Sequence, residues 1–286
     1  MNNSSLVNKV LIIGGPNAGK THFGGQLYGR LSSRLFNYKI SPNNRPNDLT
    51  IFQEVIDKLA EGRRAGHTEA SANRSIELKI EDSSGNKIVF TFPDYAGEQV
   101  NYIIDNRRIN TVWRQYIESS SSWMLFVRLD EVKPVEDIIN KGIPSAEEIV
   151  KRNATPPPIK ISDAAHFVEL LQMLLYTKRV PTLNKIVRPN LTVVLSCWDV
   201  LNLPDNTKPS DILEERLPML HDFLKNSWAD NSLSIIGLSS TEKTLTDDAD
   251  EEYIDRTPIK FGYIINEAGT KQQDLTLSIQ TFIGSE

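Results

Sequence analysis

The sequence predicts an α/β three-layer sandwich with a mostly parallel central sheet and one antiparallel hairpin strand. Aliphatic runs typical of strands buried on both faces recur along the chain, the first at residues 8–15 (NKVLIIGG). Segments with helical spacing of apolar residues separate these runs, and such alternation favours parallel pairing. Residues 75–82 and 87–94 alternate polar with apolar side chains around a Ser-Ser-Gly-Asn turn, which predicts the hairpin.

The remaining elements are predicted in order from the same patterns. After the first strand, Phe23, Leu27, Leu31 and Leu35 recur at helical spacing over residues 20–35. Continuous apolar runs predict buried strands at 122–130, 190–199 and 232–240. Helical patterns lie at 106–119, 162–178 and 210–227, and an amphipathic helix is predicted at 272–284.

We expect a single domain over residues 1–286 with two segments outside the regular alternation. Residues 131–160 are rich in proline and charge, which predicts an exposed insertion. Residues 241–286 form a C-terminal extension that contains an acidic loop at 246–255. A solvated loop is the favoured interpretation of the acidic run, and a docking surface for a basic partner is the alternative.

Composition restricts the class of protein. The chain of 286 residues has 39% hydrophobic and 24% charged residues and a net charge of -5, which is ordinary for a soluble globular protein. It has no overall basic field, so no nucleic-acid partner is predicted. The single cysteine, Cys197, allows no internal disulfide, and neither a signal-peptide pattern nor a membrane-spanning apolar run is present. We therefore expect a cytoplasmic protein without direct membrane insertion.

The strongest chemical signal is GGPNAGKT at residues 14–21, between a predicted strand and a predicted helix. This is the context that the phosphate-binding P-loop motif requires. Glycines let successive N–H groups point at a phosphate, Lys20 reaches phosphate oxygens, and the Thr21 hydroxyl is a candidate Mg²⁺ ligand. A glycine-rich turn without a ligand is the alternative. The predicted nucleotide-binding residues here are Gly14, Pro16, Asn17, Ala18, Gly19, Lys20, Thr21 and His22.

A second signal is Asp-Tyr-Ala-Gly at the end of the predicted hairpin strand. In such a place Asp94 can hold Mg²⁺ through a water. Gly97 can offer its N–H to a γ-phosphate because no side chain blocks the approach. Asp-x-x-Gly alone is a weak motif, but its position downstream of a P-loop favours this interpretation over an ordinary turn.

The order of the motifs GGPNAGKT, DYAG, SCWD and LSS resembles that of the Ras-like (TRAFAC-class) P-loop GTPases over most of the chain. The stretches LAEGRRAGHT, PDYAGE and FGYIINEAG, followed by DLT, are similar to the bacterial double-GTPase type, whose members are linked to conflict or defence operons. The resemblance implies a small-GTPase-like P-loop NTPase fold, GTP and GDP as ligands, and Mg²⁺ as cofactor. It also implies a switch threonine that binds Mg²⁺ and the γ-phosphate. Thr68 is the predicted residue, and Thr50, in a helical pattern, is the competitor.

The base-reading loop implied by the resemblance is irregular. In the family an aspartate accepts hydrogen bonds from guanine, and Asp199 occupies that place. Cys197 replaces a lysine that covers the base and ties this loop to the P-loop, and Ser196 replaces a bracing Asn or Thr. Trp198 packs either on the base or on the protein, and a helix-capping role for Asp199 is the alternative to base reading. The predicted base-binding residues are Asp199 and, in the loop after the strand at 232–240, Ser239 and Ser240.

The candidate catalytic residues are less regular than the binding residues. Glu98 stands where the resemblance places a water-orienting glutamine, and Gln99 is one place further on. A carboxylate near a γ-phosphate is repelled, yet it can orient or deprotonate the attacking water. We predict Glu98, Gln99 and Lys20 as the catalytic set, with no arginine assigned as a finger. Four arginines are candidates by their proximity to the switch segments alone: Arg63, Arg64, Arg107 and Arg108.

These observations predict a switch protein that binds GTP with Mg²⁺, hydrolyses it slowly to GDP, and signals to a partner in a multi-protein bacterial system. The partner is a protein effector or an activating protein, and a second GTPase is one candidate. Two other functions stay open. One is an ATPase whose base-reading loop no longer selects guanine, and the other is a nucleotide-binding scaffold that does not hydrolyse its ligand.

Overall fold

A computed structural model describes residues 7–33, 38–40, 50–65, 75–82, 85–93, 98–132 and 162–282. These residues form an α/β sandwich around one nine-stranded sheet, which confirms the predicted fold class. In sequence order the strands are β1 Asn8–Ile13, β2 Tyr38–Ile40, β3 Ile76–Asp82, β4 Lys87–Phe92, β5 Ser122–Arg128, β6 Asn190–Ser196, β7 Leu233–Ser239, β8 Tyr263–Ile265 and β9 Lys271–Gln272. Their order across the sheet is β2-β3-β4-β1-β5-β6-β7-β8-β9.

Helices connect most of these strands. The α-helices are α1 Lys20–Ser33, α2 Thr50–Ala60, α3 Glu98–Asn106, α4 Thr111–Ser119, α5 Asp163–Lys178, α6 Pro209–Arg216, α7 Pro218–Ser227 and α8 Glu251–Arg256. Short 3₁₀ turns include Leu129–Glu131, Trp198–Leu201 and Leu275–Phe282. Within the described residues, no helix is both long enough and apolar enough to cross a membrane.

The centre of the sheet is parallel and both of its edges are antiparallel. Strands β4, β1, β5, β6 and β7 pair in parallel, because each connection crosses one face of the sheet. The predicted hairpin is β3–β4, and the short strand β2 extends it at one edge. At the other edge β8 and β9 add further antiparallel pairings that the sequence patterns did not predict.

Each face of the sheet buries its own hydrophobic cluster. In β1, Leu11 and Ile13 belong to one cluster and Val10 and Ile12 to the other, as the alternation of side chains along a strand requires. Helices α3 to α7 cover the first cluster. Helices α1 and α2 and the Leu275–Phe282 turn cover the second. These coverings produce the three layers.

Several predicted boundaries differ from the structure. The helix predicted at 106–119 is α4, which begins later, at Thr111, because the side chain of Asn110 caps it; a separate helix, α3, ends at Asn106. The helix predicted at 210–227 is two helices, because Pro218 begins α7. The prediction of an amphipathic α-helix at 272–284 is wrong, because residues Leu275–Phe282 form a 3₁₀ segment. Most of the predicted insertion lies outside the described residues, which omit 133–161.

The acidic part of the C-terminal extension packs against the domain more closely than the solvated loop that the sequence predicted. Its carboxylates are mostly exposed, as predicted, but Leu245, Tyr253 and Phe261 are buried against Val55 and Leu59 of α2. The rings of Tyr253 and Phe261 stack with centroids 3.7 Å apart. We call residues 243–262 the C-terminal segment. Its apolar side chains, which are sparse in the sequence, fix an otherwise acidic stretch to the surface.

Candidate functional site

The loop between β1 and α1 has the shape that its glycines permit. A Cβ on Gly14 would lie 2.9 Å from Cβ of Phe126 and 3.0 Å from its carbonyl oxygen, so no larger residue fits there. Gly19 has φ of +81°, a conformation that favours glycine, and Asn17 has φ of 57°. Helix α1 begins directly after it at Lys20. The loop therefore closes around the N-terminus of a fourteen-residue helix, where unpaired N–H groups attract anions.

Lys20 places a cation inside this loop. Its Nζ donates to the carbonyl oxygens of Gly14 at 2.7 Å and Gly15 at 2.6 Å. Burial lowers the pKa of Lys20 from 10.5 to about 8, because the charged form loses solvent. Burial also lowers the pKa of His22, which keeps that imidazole neutral at pH 7. Lys20 is therefore the cation of the loop, and a phosphate would stabilise its charge.

The loop after β6 lies against the P-loop. Strand β6 ends at Ser196, whose buried hydroxyl lies 3.4 Å from the Val127 carbonyl oxygen. A Cβ on Gly19 would lie 3.6 Å from Cβ of Ser196, which is ordinary van der Waals contact. Cys197 then takes a left-handed conformation with φ of 53°, and a 3₁₀ turn begins at Trp198. Ser196 therefore lies beside the P-loop despite being smaller than the residue that it replaces.

Asp199 is partly exposed in the first turn of this 3₁₀ segment. No side chain caps the segment, so the alternative in which Asp199 is a helix cap does not describe this geometry. Within the described part of the chain, the Asp199 carboxylate has no hydrogen bond or ion pair. Its oxygens are therefore available to accept hydrogen bonds from a ligand.

Trp198 packs on the protein. Its side chain is buried, and a Cβ on Gly237 would lie 2.6 Å from Trp198 Cε3. The absence of a side chain at Gly237 therefore makes room for the indole. Of the two positions that the sequence left open for the Trp198 ring, on the base or on the protein, the structure shows the second. Trp198, next to Asp199, therefore anchors the loop after β6 to the protein core.

The loop after β7 is held by the C-terminal extension. The buried Ser239 hydroxyl accepts from the N–H of Glu242 at 2.8 Å. Glu242 Oε1 in turn accepts from the N–H of Gly262 at 3.0 Å. Ser240 is partly exposed at the same loop. Nearby, burial and the charge of Asp199 raise the pKa of Tyr263 to about 12, so the phenol stays neutral beside that carboxylate.

Arg128 is a site residue that sequence reasoning missed. It ends β5, and its Nη1 donates to the carbonyl oxygen of Asn17 in the P-loop at 3.2 Å. Its guanidinium also bonds to the carboxylate of Asp130, with Nη2 to Oδ2 at 3.0 Å. The available signal is an arginine at the end of an otherwise apolar strand, SWMLFVR.

Several predicted residues cannot be placed in the site. Thr68, Asp94 and Gly97 lie outside the described residues, and of Glu98 only its position at the start of α3 is described. Gln99 lies in α3, and its Oε1 accepts from Trp113 Nε1 of α4 at 2.6 Å. This contact holds the Gln99 carboxamide at the α3–α4 junction, one place beyond the position that the resemblance gives to a water-orienting residue.

The arginines near the predicted switches pair with other parts of the surface. Arg64 forms an ion pair with Asp247 at 2.7 Å, Arg107 with Glu169 at 2.6 Å, and Arg63 lies 3.8 Å from Glu61. Arg108 is exposed. Thr50 begins α2, which agrees with the helix expected around it.

The family model of Double-GTPase 1 matches residues 11–282, which include all three loops of the site. The chain belongs to the Double-GTPase 1 family. This match confirms the predicted resemblance to P-loop GTPases of the double-GTPase type. Among curated proteins, none is similar in sequence to this Double-GTPase 1 protein.

Solved structures of GTPase-like domains are similar to this Double-GTPase 1 protein at low sequence identity. The Ski7 GTPase-like domain of S. cerevisiae, bound to GDP and inorganic phosphate, has 14% identity and a TM-score of 0.40, with 82% of this chain and 43% of that chain covered. The chain thus spans less than half the length of that Ski7 chain. The signal recognition particle receptor complex SRb-GTP/SRX from Chaetomium thermophilum has 11% identity and a TM-score of 0.39, with 88% of this chain and 97% of that chain covered.

Proposed function

We propose that this protein binds GTP with Mg²⁺, hydrolyses it slowly to GDP, and acts as a switch for a partner protein. One observation carries the proposal. The P-loop and the loop after β6, which carries Asp199, lie side by side, since a Cβ added to Gly19 would lie 3.6 Å from Cβ of Ser196. The proposed phosphate-binding loop and the proposed base-reading loop both follow the carboxyl ends of parallel strands, where open parallel sheets bind ligands.

The proposed phosphate contacts begin at the P-loop. The N–H groups around Gly19 and the N-terminus of α1 attract a phosphate, and the Lys20 ammonium exchanges carbonyl partners for phosphate oxygens. Charge-assisted bonds of this kind are roughly twice as strong as bonds between neutral groups. The exchange is favourable because it gives a partly buried cation an anionic partner.

Mg²⁺ is the proposed cofactor, and the donor groups suit it. Thr21 lies in the first turn of α1, is partly exposed, and offers a hydroxyl oxygen beside Lys20. Oxygen donors combined with phosphate oxygens are the usual environment of Mg²⁺ in proteins. Thr68 and Asp94 are the other proposed ligands. Bound Mg²⁺ would neutralise charge that develops on the phosphates, while Thr21 holds it at the helix N-terminus.

The proposed base contact is the Asp199 carboxylate. Guanine offers N1–H and a 2-amino group side by side, which a carboxylate accepts together. Adenine offers no such pair, so it would leave the carboxylate without partners. Trp198, packed against Gly237, holds the loop in place, and Ser239 and Ser240 are the proposed base contacts on the loop after the neighbouring strand β7.

Slow hydrolysis is proposed from the groups near the expected γ-phosphate. Glu98 at the start of α3 is the proposed water-orienting residue, with Gly97 and Lys20 placing the phosphate. Gln99 is bonded to Trp113, which supports weak intrinsic catalysis. A partner that supplies an arginine would raise the rate by about 10³–10⁵. Glu98→Ala should reduce turnover. Unchanged turnover would remove Glu98 from the proposed catalytic set, and a wild type without turnover would favour the scaffold.

The test of nucleotide selectivity is a fluorescence titration with labelled GDP, GTP, ADP and ATP in the presence of Mg²⁺. We expect the wild type to prefer guanine by about 100-fold, and Asp199→Ala to lose that preference while keeping phosphate affinity. Asp205→Ala, an exposed aspartate six residues on, is the matched control and should behave as the wild type. Equal binding of adenine and guanine nucleotides by the wild type would contradict the proposal and favour the ATPase. Binding of neither would favour a scaffold without a nucleotide.

Proton uptake on GDP binding is a second expected result. The pKa of Lys20 is about 8 here, and a bound phosphate raises it by stabilising the ammonium. Binding therefore weakens as pH rises through the lower pKa, by about fourfold between pH 7 and 8.5. Calorimetry in two buffers of different ionisation enthalpy measures the uptake. Lys20→Arg, which stays charged, should take up no proton at this position. Equal uptake by the two proteins at pH 8.5 would show that Lys20 is already fully charged before binding.

A further inference from the structure

The loop after β6 lacks a cation at the position where the resemblance implies a lysine. Cys197 stands there, and burial raises the pKa of its thiol to about 11, so the side chain carries no charge. A cysteine is also too short to reach across to the P-loop. If the two loops are to hold one nucleotide, some other group has to fix their separation.

Arg128 lies beside the start of the loop after β6 and reaches the P-loop. Strands β5 and β6 pair in parallel with Arg128 opposite Ser196, so Arg128 ends its strand beside the residue that precedes Cys197. From there the side chain reaches the P-loop and donates from Nη1 to the Asn17 carbonyl oxygen at 3.2 Å. Asn17 is held in a left-handed conformation, so its carbonyl direction depends on what fixes it.

Two carboxylates hold the guanidinium in this position. Nε and Nη2 of Arg128 bond to Asp130 at 3.0 Å each, and Nη1 lies 3.1 Å from Glu131. The Arg128 side chain is 28% exposed and that of Asp130 is 19% exposed, so water screens this pair only in part. An arginine held at a fork by a carboxylate has little freedom left to lose when it bonds elsewhere. The group is therefore organised before any ligand arrives.

We propose that Arg128 is a positioning residue that fixes the P-loop to the base-reading loop and takes the place of the lysine absent at Cys197. This inference rests on the proposed binding of guanine nucleotide. Arg128 sets the distance between the phosphate contacts of Lys20 and the base contact of Asp199. Both then act on a single nucleotide without reordering of the loops.

The test compares GDP-Mg²⁺ affinity across four variants of the full chain. Arg128→Met, which keeps the stem and removes the guanidinium, should weaken binding about tenfold, as expected for one charge-assisted bond. Cys197→Lys in the Arg128→Met background should restore affinity to within about threefold of the wild type, and alone it should change little. Arg114→Met is the control, because Arg114 is an exposed arginine on α4 paired with Glu118.

Thermal unfolding without ligand separates positioning from a merely structural role. A structural role would lower the unfolding temperature and would not respond to a lysine at 197. If Arg128→Met does not fold, Asp130→Asn leaves the guanidinium unaltered and held by Glu131 alone among the two carboxylates, and it should weaken GDP binding about threefold.

The outcomes distinguish this inference from the function on which it depends. A wild type that binds GDP, together with an Arg128→Met protein that binds it equally well, would overturn the inference alone. So would a double variant no tighter than Arg128→Met. A wild type that binds no guanine nucleotide would overturn the proposed function and this inference with it.

Discussion

Lys20→Met is expected to weaken binding of GDP and GTP by at least about 100-fold while leaving the fold intact. The Lys20 ammonium lies among backbone carbonyls inside the P-loop, 2.7 Å from Gly14 O and 2.6 Å from Gly15 O. Its position makes it the cation proposed for two phosphates. Methionine has similar length and no charge, so the phosphates would face the loop with N–H groups alone.

The free protein should tolerate this change. Burial disfavours the charged form of Lys20, as its lowered pKa records, so removing the charge does not cost stability below pH 8. The Gly14 and Gly15 carbonyl oxygens lose the Lys20 donor, and of the two residues Gly15 is partly exposed to water.

The measurement pairs labelled-nucleotide titration with urea denaturation. Lys87→Met is the control, since Lys87 is an exposed lysine at the start of β4. If Lys20→Met binds nucleotide within about threefold of the wild type, Lys20 does not contact the phosphates. That result would contradict the proposed function. A large fall in stability would mean that the ammonium supports the loop even without a phosphate.

The P-loop could be predicted from the sequence because its information is local. Glycines, lysine and threonine at fixed spacing, between a strand pattern and a helix pattern, determine a turn whose geometry involves few distant residues. Even there, the reason for Gly14 is distant: it admits the side chain and carbonyl of Phe126 on the neighbouring strand. The motif identified the residue, and only the sheet order explains it.

Arg128 and Gln99 show where local information ends. Arg128 belongs to the site because parallel pairing of β5 and β6 places it beside Ser196 and within reach of Asn17, 111 residues away in sequence. Gln99 was predicted by analogy with a neighbouring position, but helix α3 directs its side chain to Trp113. Both outcomes depend on tertiary placement, which spacing along the chain does not encode.

The C-terminal extension shows the same limit. An acidic run predicts solvation from composition, whereas Arg64 and Asp247 meet across 183 residues and Leu245 and Tyr253 are buried on α2. The edge strands β8 and β9 are only three and two residues long, too short for a periodic pattern to reveal.

Gly62→Ala is expected to destabilise the protein by about 3 kcal/mol or more. Gly62 has φ of +68°, which costs any other residue some strain. A Cβ there would also lie 2.4 Å from the carbonyl oxygen of Asp250 and 2.7 Å from its nitrogen. The two backbones approach this closely because the Asp250 N–H donates to the Gly62 carbonyl oxygen at 3.0 Å.

Gly85→Ala is the matched control, because it introduces the backbone strain of a positive φ without a clash between the new Cβ and a neighbouring backbone. Gly85 has φ of +86°, and a Cβ added to it would meet no atom within 4 Å. We expect Gly85→Ala to cost about 1 kcal/mol, so the difference between the two variants measures the contact of Gly62 with Asp250. Urea denaturation gives both values, and similar costs would mean that the two backbones separate freely.

The same substitution should affect the nucleotide site at a distance. Residues 61–65 follow α2 and precede Thr68, the proposed Mg²⁺ ligand, in the sequence. Two backbone hydrogen bonds join them to the C-terminal segment: Asp250 N–H donates to the Gly62 carbonyl oxygen, and Arg64 N–H donates to the Thr246 carbonyl oxygen at 2.9 Å. Loss of these bonds would increase the entropy lost when a switch orders around GTP-Mg²⁺, but would leave GDP binding largely unaffected. Gly62→Ala should therefore lower the GTP-to-GDP affinity ratio, whereas Gly85→Ala should not. If Gly62→Ala leaves the GTP-to-GDP affinity ratio unchanged, the C-terminal segment contributes to stability alone. If the ratio falls, the segment also contributes to ordering of the switch.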